Sequence, residues 1–261
     1  MKTAVVIPAR FASSRLPGKP LLRETGKYLI QHVYENASQS TRASTVVVAT
    51  DDGRIARAVE SFGGRAVMTR EDHVSGTDRV AEVAATLGCD AIVNIQGDEP
   101  QFDPFGIDQL VQLLEADPQA SVSTLATPIR SAAMYRDPNA VKVVCDDTGR
   151  ALYFSRSPIP YCRDGEPDLN ANPPFALLHV GVYAYRTDVL LRIASSPPHR
   201  LEQAEKLEQL RVLGQGGTIR VGVIPHAHRG VDTPGDYAAF VRDYYAQTSH
   251  QTSRSSPSKA A

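Results

Sequence analysis

Three cations, Arg10, Arg15 and Lys19, fall within the stretch "IPARFASSRLPGKPL" at residues 7–21, which contains no acid. Its three prolines and glycine oppose a regular helix. A phosphate needs Arg or Lys donors and free backbone N–H groups, and a stiff loop of this kind supplies both. The alternative is a solvated surface loop. No G-x-x-x-x-G-K-[ST] loop is present, and "GQGG" at 214–217 lacks the spacing of G-x-G-x-x-G.

Carboxylates form the second group. "NIQGDEP" (94–100) sets Asp98 and Glu99 behind a glycine. That is either ordinary turn chemistry or a Mg²⁺ position, since Mg²⁺ takes one or two carboxylates together with phosphate oxygens and water. Asp232 in "GVDTP" is a second Mg²⁺ candidate; the other reading makes Asp232 or Thr233 the cap of a helix. In "DHVSGTDR" (72–79), Ser75 or Thr77 is placed to cap a helix, and N–H groups there suit an anion or a base edge. Glu202, Glu205 and Glu208 recur every three residues and read as one helix face. His226 and His228 share one side of a strand pattern, with no third metal ligand near them in sequence.

These groups need elements to hold them. Apolar runs at 3–8, 45–49, 65–68, 90–95 and 121–126 alternate with helical patterns near 29–40, 52–62, 77–87 and 104–116. "AVVI", "VVVA" and "AIVNI" are apolar at successive positions, which suits strands covered on both faces. The expectation is an α/β fold, doubly wound, with a mostly parallel mixed sheet. In such sheets ligands bind beyond the carboxyl ends of the strands, where the cationic loop and "NIQGDEP" both emerge. Beyond residue 128, "AVKVVCDDTGRALYFSR" reads as two strands around a "DDTG" turn, and "LLHVGVYAY" (177–185) as a third. Residues 130–185 are expected to form a small antiparallel hairpin extension, a subdomain or dimer contact. Helices near 188–195 and 202–213, a strand at 218–224 and a helix at 234–246 complete a single domain over 1–246. The Ser/Thr-rich residues 247–261 are expected to be disordered.

Composition narrows the function classes. The 261 residues include 28 basic and 29 acidic ones, a net charge of -1. A general nucleic-acid or membrane-surface binder would be clearly basic, so any anion site is local. Cys89, Cys145 and Cys162 are odd in number and form no C-x-x-C pair, so neither a disulfide framework nor a zinc knuckle is indicated. No run approaches the ~18 apolar residues of a membrane span, and no signal-like start is present. The expected setting is a reducing cytoplasm.

"IPARFASSRLPGKPL", "VVVATDD", "VMTREDHVSGTDR", "VNIQGDEP", "NAVKVV", "ALYFSRSPIP", "LEQLRVL" and "VDTP" follow one another from residue 7 to 234. Together they resemble the 3-deoxy-manno-octulosonate cytidylyltransferases, the CMP-Kdo synthetases of Gram-negative lipopolysaccharide synthesis. The resemblance implies a nucleotide-diphospho-sugar transferase-like fold, a homodimer built from the middle hairpin region, and a Mg²⁺-dependent reaction of CTP with Kdo to give CMP-Kdo and pyrophosphate. By position, it implies that Arg10 and Lys19 hold the CTP phosphates and that Ala9, Ser75, Gly76 and Gln96 line the nucleotide site, with Gln96 also reaching the sugar. It makes Asp98 and Asp232 the Mg²⁺ ligands. It turns Arg15, Arg156, His179, Tyr183, Glu208 and Gln209 toward the sugar acid, with Arg163 a further candidate for its carboxylate. No dedicated general base is visible. Two residues depart from the family pattern: Tyr28 stands where proline is usual, and Leu178 where a cation often precedes the histidine. Glu99 favours ordinary Kdo, because a branch that uses an 8-amino sugar tends to read "QGDQP". A sister enzyme for a sialic acid or another sugar acid, and a non-catalytic nucleotide-binding protein, are the other readings.

Overall fold

The computed structural model describes residues 1–13, 15–227 and 230–254. Its frame is one sheet built from β1 (Thr3–Ala9), β2 (Thr45–Thr50), β3 (Ala66–Met68), β4 (Ala91–Asn94), β5 (Ala120–Pro128), β6 (Lys142–Cys145), β7 (Ala151–Ser155), β8 (Leu177–Arg186) and β9 (Thr218–Val223). The strands lie in the order β3-β2-β1-β4-β8-β5-β9. β1–β4 are mutually parallel and β5 runs parallel to β9, while β8 is antiparallel to both β4 and β5. The β6–β7 hairpin turns at 146–149 and joins the sheet through β8.

Every residue of β1 is buried, as its unbroken apolar run requires. Ala4 and Val6 face one core, with α3 (Gly76–Leu87), α6 (Thr187–Ala194) and α8 (Gln209–Gly214). Val5, Ile7 and Ala9 face the other, with α1 (Leu29–Ala37), α2 (Gly53–Ser61) and α4 (Pro104–Ala116). Two helical layers around one sheet are the doubly wound arrangement. Hairpin residues Val143 and Phe154 belong to the first core, so the extension shares the main packing. It also has a small cluster of its own around Ile129, Tyr135, Leu169 and Ala176.

The structure revises several boundaries. Residues 202–213 are not one helix: α7 (Arg200–Glu205) ends before α8 begins, broken at Lys206, whose φ is 55°. Glu202, Glu205 and Glu208 therefore share no helix face. A short helix, α5 (Ala132–Arg136), was not legible in the sequence pattern. The last helix, α9 (Pro234–Arg254), passes the expected end at residue 246 and takes in residues 247–254 of the expected disordered tail. The rest of that tail, 255–261, lies outside the described residues, as does His228. Among the described residues, no helix is long and apolar enough to cross a membrane.

Candidate active site

The cationic loop leaves the carboxyl end of β1 and folds back on itself. The Gly18 N–H donates to the Phe11 carbonyl at 3.2 Å, and Gly18 adopts φ 66°, a left-handed conformation that disfavours other residues. Lys19–Leu21 then form one 3-10 turn with Pro20 inside it. Leu16 packs with Leu29, Val231, Tyr237 and Phe240, which pins the loop against α9 and the 231–232 segment. The Asp98 turn is drawn in from the other side. A side chain at Gly97 would meet the Pro8 carbonyl at 2.9 Å, so only glycine permits this approach of the two strand ends. The Val231 N–H donates to the Asp98 carbonyl at 2.8 Å.

These constraints bring residues from far apart in sequence into one charge cluster. Lys19 Nζ donates to Asp98 Oδ2 at 2.6 Å, to the Val231 carbonyl at 2.9 Å and to Asp232 Oδ1 at 3.4 Å. Arg15 Nη2 donates to the same Asp232 oxygen at 3.1 Å. Arg10 stands exposed on the wall of the same cavity. Helix α9 is capped by Thr233, whose Oγ1 accepts from the Asp236 N–H at 3.2 Å. Asp232 is thus not the cap, and its carboxylate turns to the cations.

Glu99, read beside Asp98 in the turn but not among the Mg²⁺ ligands that the resemblance implies, is the third acid of the cluster. Burial, then the neighbouring Asp98 and Asp232 charges, push its pKa up to about 8, against the pull of Lys19. Glu99 thus keeps its proton, while the Asp98 and Asp232 carboxylates offer the hard oxygens that a hard divalent cation takes. The sequence signal was its place beside Asp98. Among the described residues, no group of three or more His, Cys, Asp and Glu forms a metal cage, which leaves the two-carboxylate arrangement that Mg²⁺ uses with phosphates.

The opposite wall comes from the start of α3. Ser75 Oγ accepts from the Asp78 N–H at 3.2 Å, and Asp78 accepts from the Ser75 N–H in return, so Ser75 is the cap. Thr77 is not; its hydroxyl donates to Glu208 Oε2 at 2.6 Å. Buried Arg79 reaches Asp51 at 2.6 Å and also bonds Thr69 and the Arg70 carbonyl, while His73 pairs with Glu82. Together they hold the 69–75 segment at the cavity mouth. The sequence suggests Thr77 only as a cap, and Arg79 and His73 lie within a motif read for other residues.

Two chambers result. One, of about 370 Å³, is lined by Ala9, Arg10, Arg15, Lys19, Ser75, Gly76, Gln96, Asp98, Glu208 and Asp232 among others. The second, of about 330 Å³, is lined by Gly76, Gln96, His179, Tyr183, Tyr185, Lys206, Glu208 and Gln209 among others. Gly76, Gln96 and Glu208 belong to both. The second chamber is rich in neutral polar groups. Burial lowers the His179 pKa to about 3, and it raises that of Tyr183 well above the phenol value. The single hydroxyl proton of Thr124 is committed to the Val182 carbonyl at 2.7 Å, so its oxygen accepts from His179 Nε2 at 3.0 Å. This assigns the proton to Nε2 and leaves Nδ1 an acceptor. Gln209 is 5% exposed, and its Nε2 has no protein partner. An orphaned amide beside a cavity is a group set up for a ligand.

Arg15 lines the charged chamber rather than the second one. Arg156 lies in the wall of neither chamber. Its guanidinium donates to the carbonyls of Glu205 at 2.7 Å, Pro138 at 3.0 Å and Lys206 at 3.4 Å. Arg163 is exposed on the loop after β7 and also lines neither. His226, exposed after β9, is likewise remote from both walls. Tyr28 precedes α1 at φ -63°, an angle proline also adopts, and its ring carries Arg23 at 4.9 Å, so this departure concerns packing. Leu178 packs against the small cluster of the extension.

A family model described as cytidylyltransferase matches residues 4–219. A 3-deoxy-manno-octulosonate cytidylyltransferase from Syntrophotalea carbinolica is 52% identical over 239 residues, covering 90% of this chain and 96% of that protein. The protein of the same name from Geobacter sulfurreducens is 52% identical over 242 residues, with the same coverage of 90% and 96%. The solved structure of a CMP:2-keto-3-deoxy-manno-octonic acid synthetase complexed with CTP superposes with a TM-score of 0.87 at 49% identity, over 95% of this chain and 100% of the other. A cytidylyltransferase from Leptospira borgpetersenii shares the fold alone, with a TM-score of 0.59 at 17% identity over 97% and 96% of the two chains.

Proposed function

Since the chain belongs to the 3-deoxy-manno-octulosonate cytidylyltransferase family, we propose that it transfers the cytidylyl group of CTP to Kdo, giving CMP-Kdo and pyrophosphate for lipopolysaccharide synthesis. The observation that carries this reading is the junction of two unlike chambers. One is lined by cations and carboxylates suited to a triphosphate; the other is lined mostly by neutral donors and acceptors, with Glu208 and Lys206 among them, suited to a polyol acid. They meet at Gly76, Gln96 and Glu208.

In the reaction, the anomeric hydroxyl oxygen of the sugar forms a bond to the α-phosphorus as the bond to the β-phosphate bridging oxygen breaks. The hydroxyl proton passes to solvent water, and pyrophosphate carries away the electron pair of the broken bond. Such transfers ask for positioning and charge neutralisation more than covalent help from the protein. Arg10, Arg15 and Lys19 neutralise and orient the phosphates. His179, Tyr183, Glu208 and Gln209 hold the sugar at the junction. Asp98 and Asp232 are the residues that would hold Mg²⁺, two carboxylates on the wall of the charged chamber where the phosphates would lie. When bound, that ion supplies further neutralisation of phosphate oxygens. The reading extends to a cytoplasmic homodimer assembled through the hairpin extension, where Met134, Leu152 and Tyr161 are exposed at 41%, 61% and 84%.

The test is pyrophosphate release with CTP, UTP and ATP against Kdo, its 8-amino analogue and a sialic acid. Release with CTP and Kdo well above every other pairing is expected. Equal turnover with UTP or ATP, or a preference for another sugar acid, would overturn the assignment.

A further inference from the structure

Lys142, on β6, is fully enclosed, with an exposure of 0%. Burial pulls its pKa below the ordinary lysine value, against the opposing charges of Asp137 and Glu205. An amine in the interior costs free energy that an apolar chain of the same length would not. Packing alone therefore does not account for a lysine at this position.

The contacts of Lys142 point to a role. Its Nζ donates to the Asp137 carbonyl at 2.9 Å and to the Arg156 carbonyl at 2.6 Å, and to no carboxylate among the described residues. Arg156 passes the constraint on. Its guanidinium holds the carbonyls of Glu205 and Lys206, and its N–H donates to Glu205 Oε2 at 3.0 Å. The other oxygen of that carboxylate accepts from the Ser155 hydroxyl at 2.6 Å. Residues 205–207 are the last residue of α7 and the first two of the link to α8, and the chain leaving this turn delivers Glu208 and Gln209 to the second chamber. Glu208 is the residue just before α8 and makes no side-chain capping bond; the Thr77 hydroxyl holds its carboxylate, and the turn before it sets its backbone.

We propose that Lys142 is a positioning residue for the sugar chamber, fixing through the Asp137 and Arg156 carbonyls the 205–207 turn that presents Glu208 and Gln209. The assignment of that chamber to the sugar rests on the function proposed above; the mechanical link does not.

The experiment is Lys142→Met, which keeps the length and apolar stem but removes the ammonium. Amide hydrogen exchange should quicken at residues 205–209 and remain unchanged at 16–21 and along β1. The KM for Kdo should rise about tenfold, the cost of one charge-assisted bond to the sugar lost as Glu208 shifts, while kcat and the KM for CTP stay within about twofold. Uniform acceleration of exchange across the sheet, or none at the turn, would overturn the proposal. So would a rise in both KM values together. If the wild type lacked activity with Kdo, the functional reading would fall while the exchange result still decided the link. Should Lys142→Met not fold, Glu205→Gln loosens the same turn from its other side at constant size. The same local exchange and KM split would support the proposal, and their absence would sink it.

Discussion

Lys19 is held at 2.6 Å from Asp98 and 3.4 Å from Asp232. It is therefore counter-ion to the acids, and in the proposed reaction it is also the donor to the phosphates. An interaction that strengthens as charge moves onto pyrophosphate appears in kcat. Lys19→Ala should lower kcat about 10²–10³-fold, by analogy with other preorganised donors, with the KM for Kdo little changed. Steady-state kinetics with each substrate varied in turn would check it. Glu208→Gln probes the other side. The Thr77 hydroxyl already engages one carboxylate oxygen at 2.6 Å, and the amide keeps the size while weakening acceptance from sugar hydroxyls. A KM for Kdo raised severalfold at constant KM for CTP is expected, a cost of about 1–2 kcal/mol for one weakened bond. A change confined to CTP would contradict the placement of Glu208 at the sugar.

Among the elements, the α7–α8 pair matters most to the site, because its break sets where Glu208 begins. A buried ion pair crosses it: Arg211 on α8 donates through Nε at 2.8 Å and Nη2 at 2.5 Å to the two oxygens of Glu202 on α7. Arg211 also holds the carbonyls of Ile193 and Ser196. Glu202 is 8% exposed, so removing its partner strands a charge. Arg211→Met should cost about 3 kcal/mol of folding stability, read from the urea midpoint. The double variant with Glu202→Gln should recover part of the loss; if it does not, the pair is not what joins the helices.

For the molecule as a whole, two expectations concern stability and assembly. His32 is buried where α1 meets α9, with Nε2 2.7 Å from Thr25 Oγ1 and its ring edge-on to Phe240 and Tyr244. Burial, then the Lys27 charge, lowers its pKa from 6.5 to about 4. Burial takes His179 down to about 3. Between the unfolded value and these folded values, the unfolded chain binds protons that the folded chain refuses. The stability contributed by these two histidines is complete above pH 6.5 and falls as the pH drops toward 4. Glu99, which keeps its proton up to about 8, acts in the opposite direction, so the test is a comparison: between pH 7.5 and 5 the urea midpoint of the wild type should fall relative to that of His32→Gln. Assembly tests the extension. Sedimentation should show a dimer, and Leu152→Asp should shift it toward monomer; a monomeric wild type would remove the homodimer from the proposal.

The sequence by itself determined the layered fold, because consecutive apolar residues in β1, β2 and β4 admit only strands covered on both faces. It also determined the acids and cations of the charged chamber, whose loops leave strand ends where ligands collect. What it misjudged follows from forces that local patterns do not carry. The glutamates spaced by three at 202, 205 and 208 look like one helix face, but Arg156 and Ser155, about fifty residues earlier in the chain, capture the turn between them. Asp232 looked as much a cap as a ligand until the Thr233–Asp236 bonds took the capping role. Arg156 carried the motif of a sugar-binding cation, yet its guanidinium is committed to backbone carbonyls. Residue types set what chemistry is possible. Which groups remain free for a substrate was decided by tertiary structure, because long-range hydrogen bonds satisfy buried polar groups first and leave the others facing the cavities.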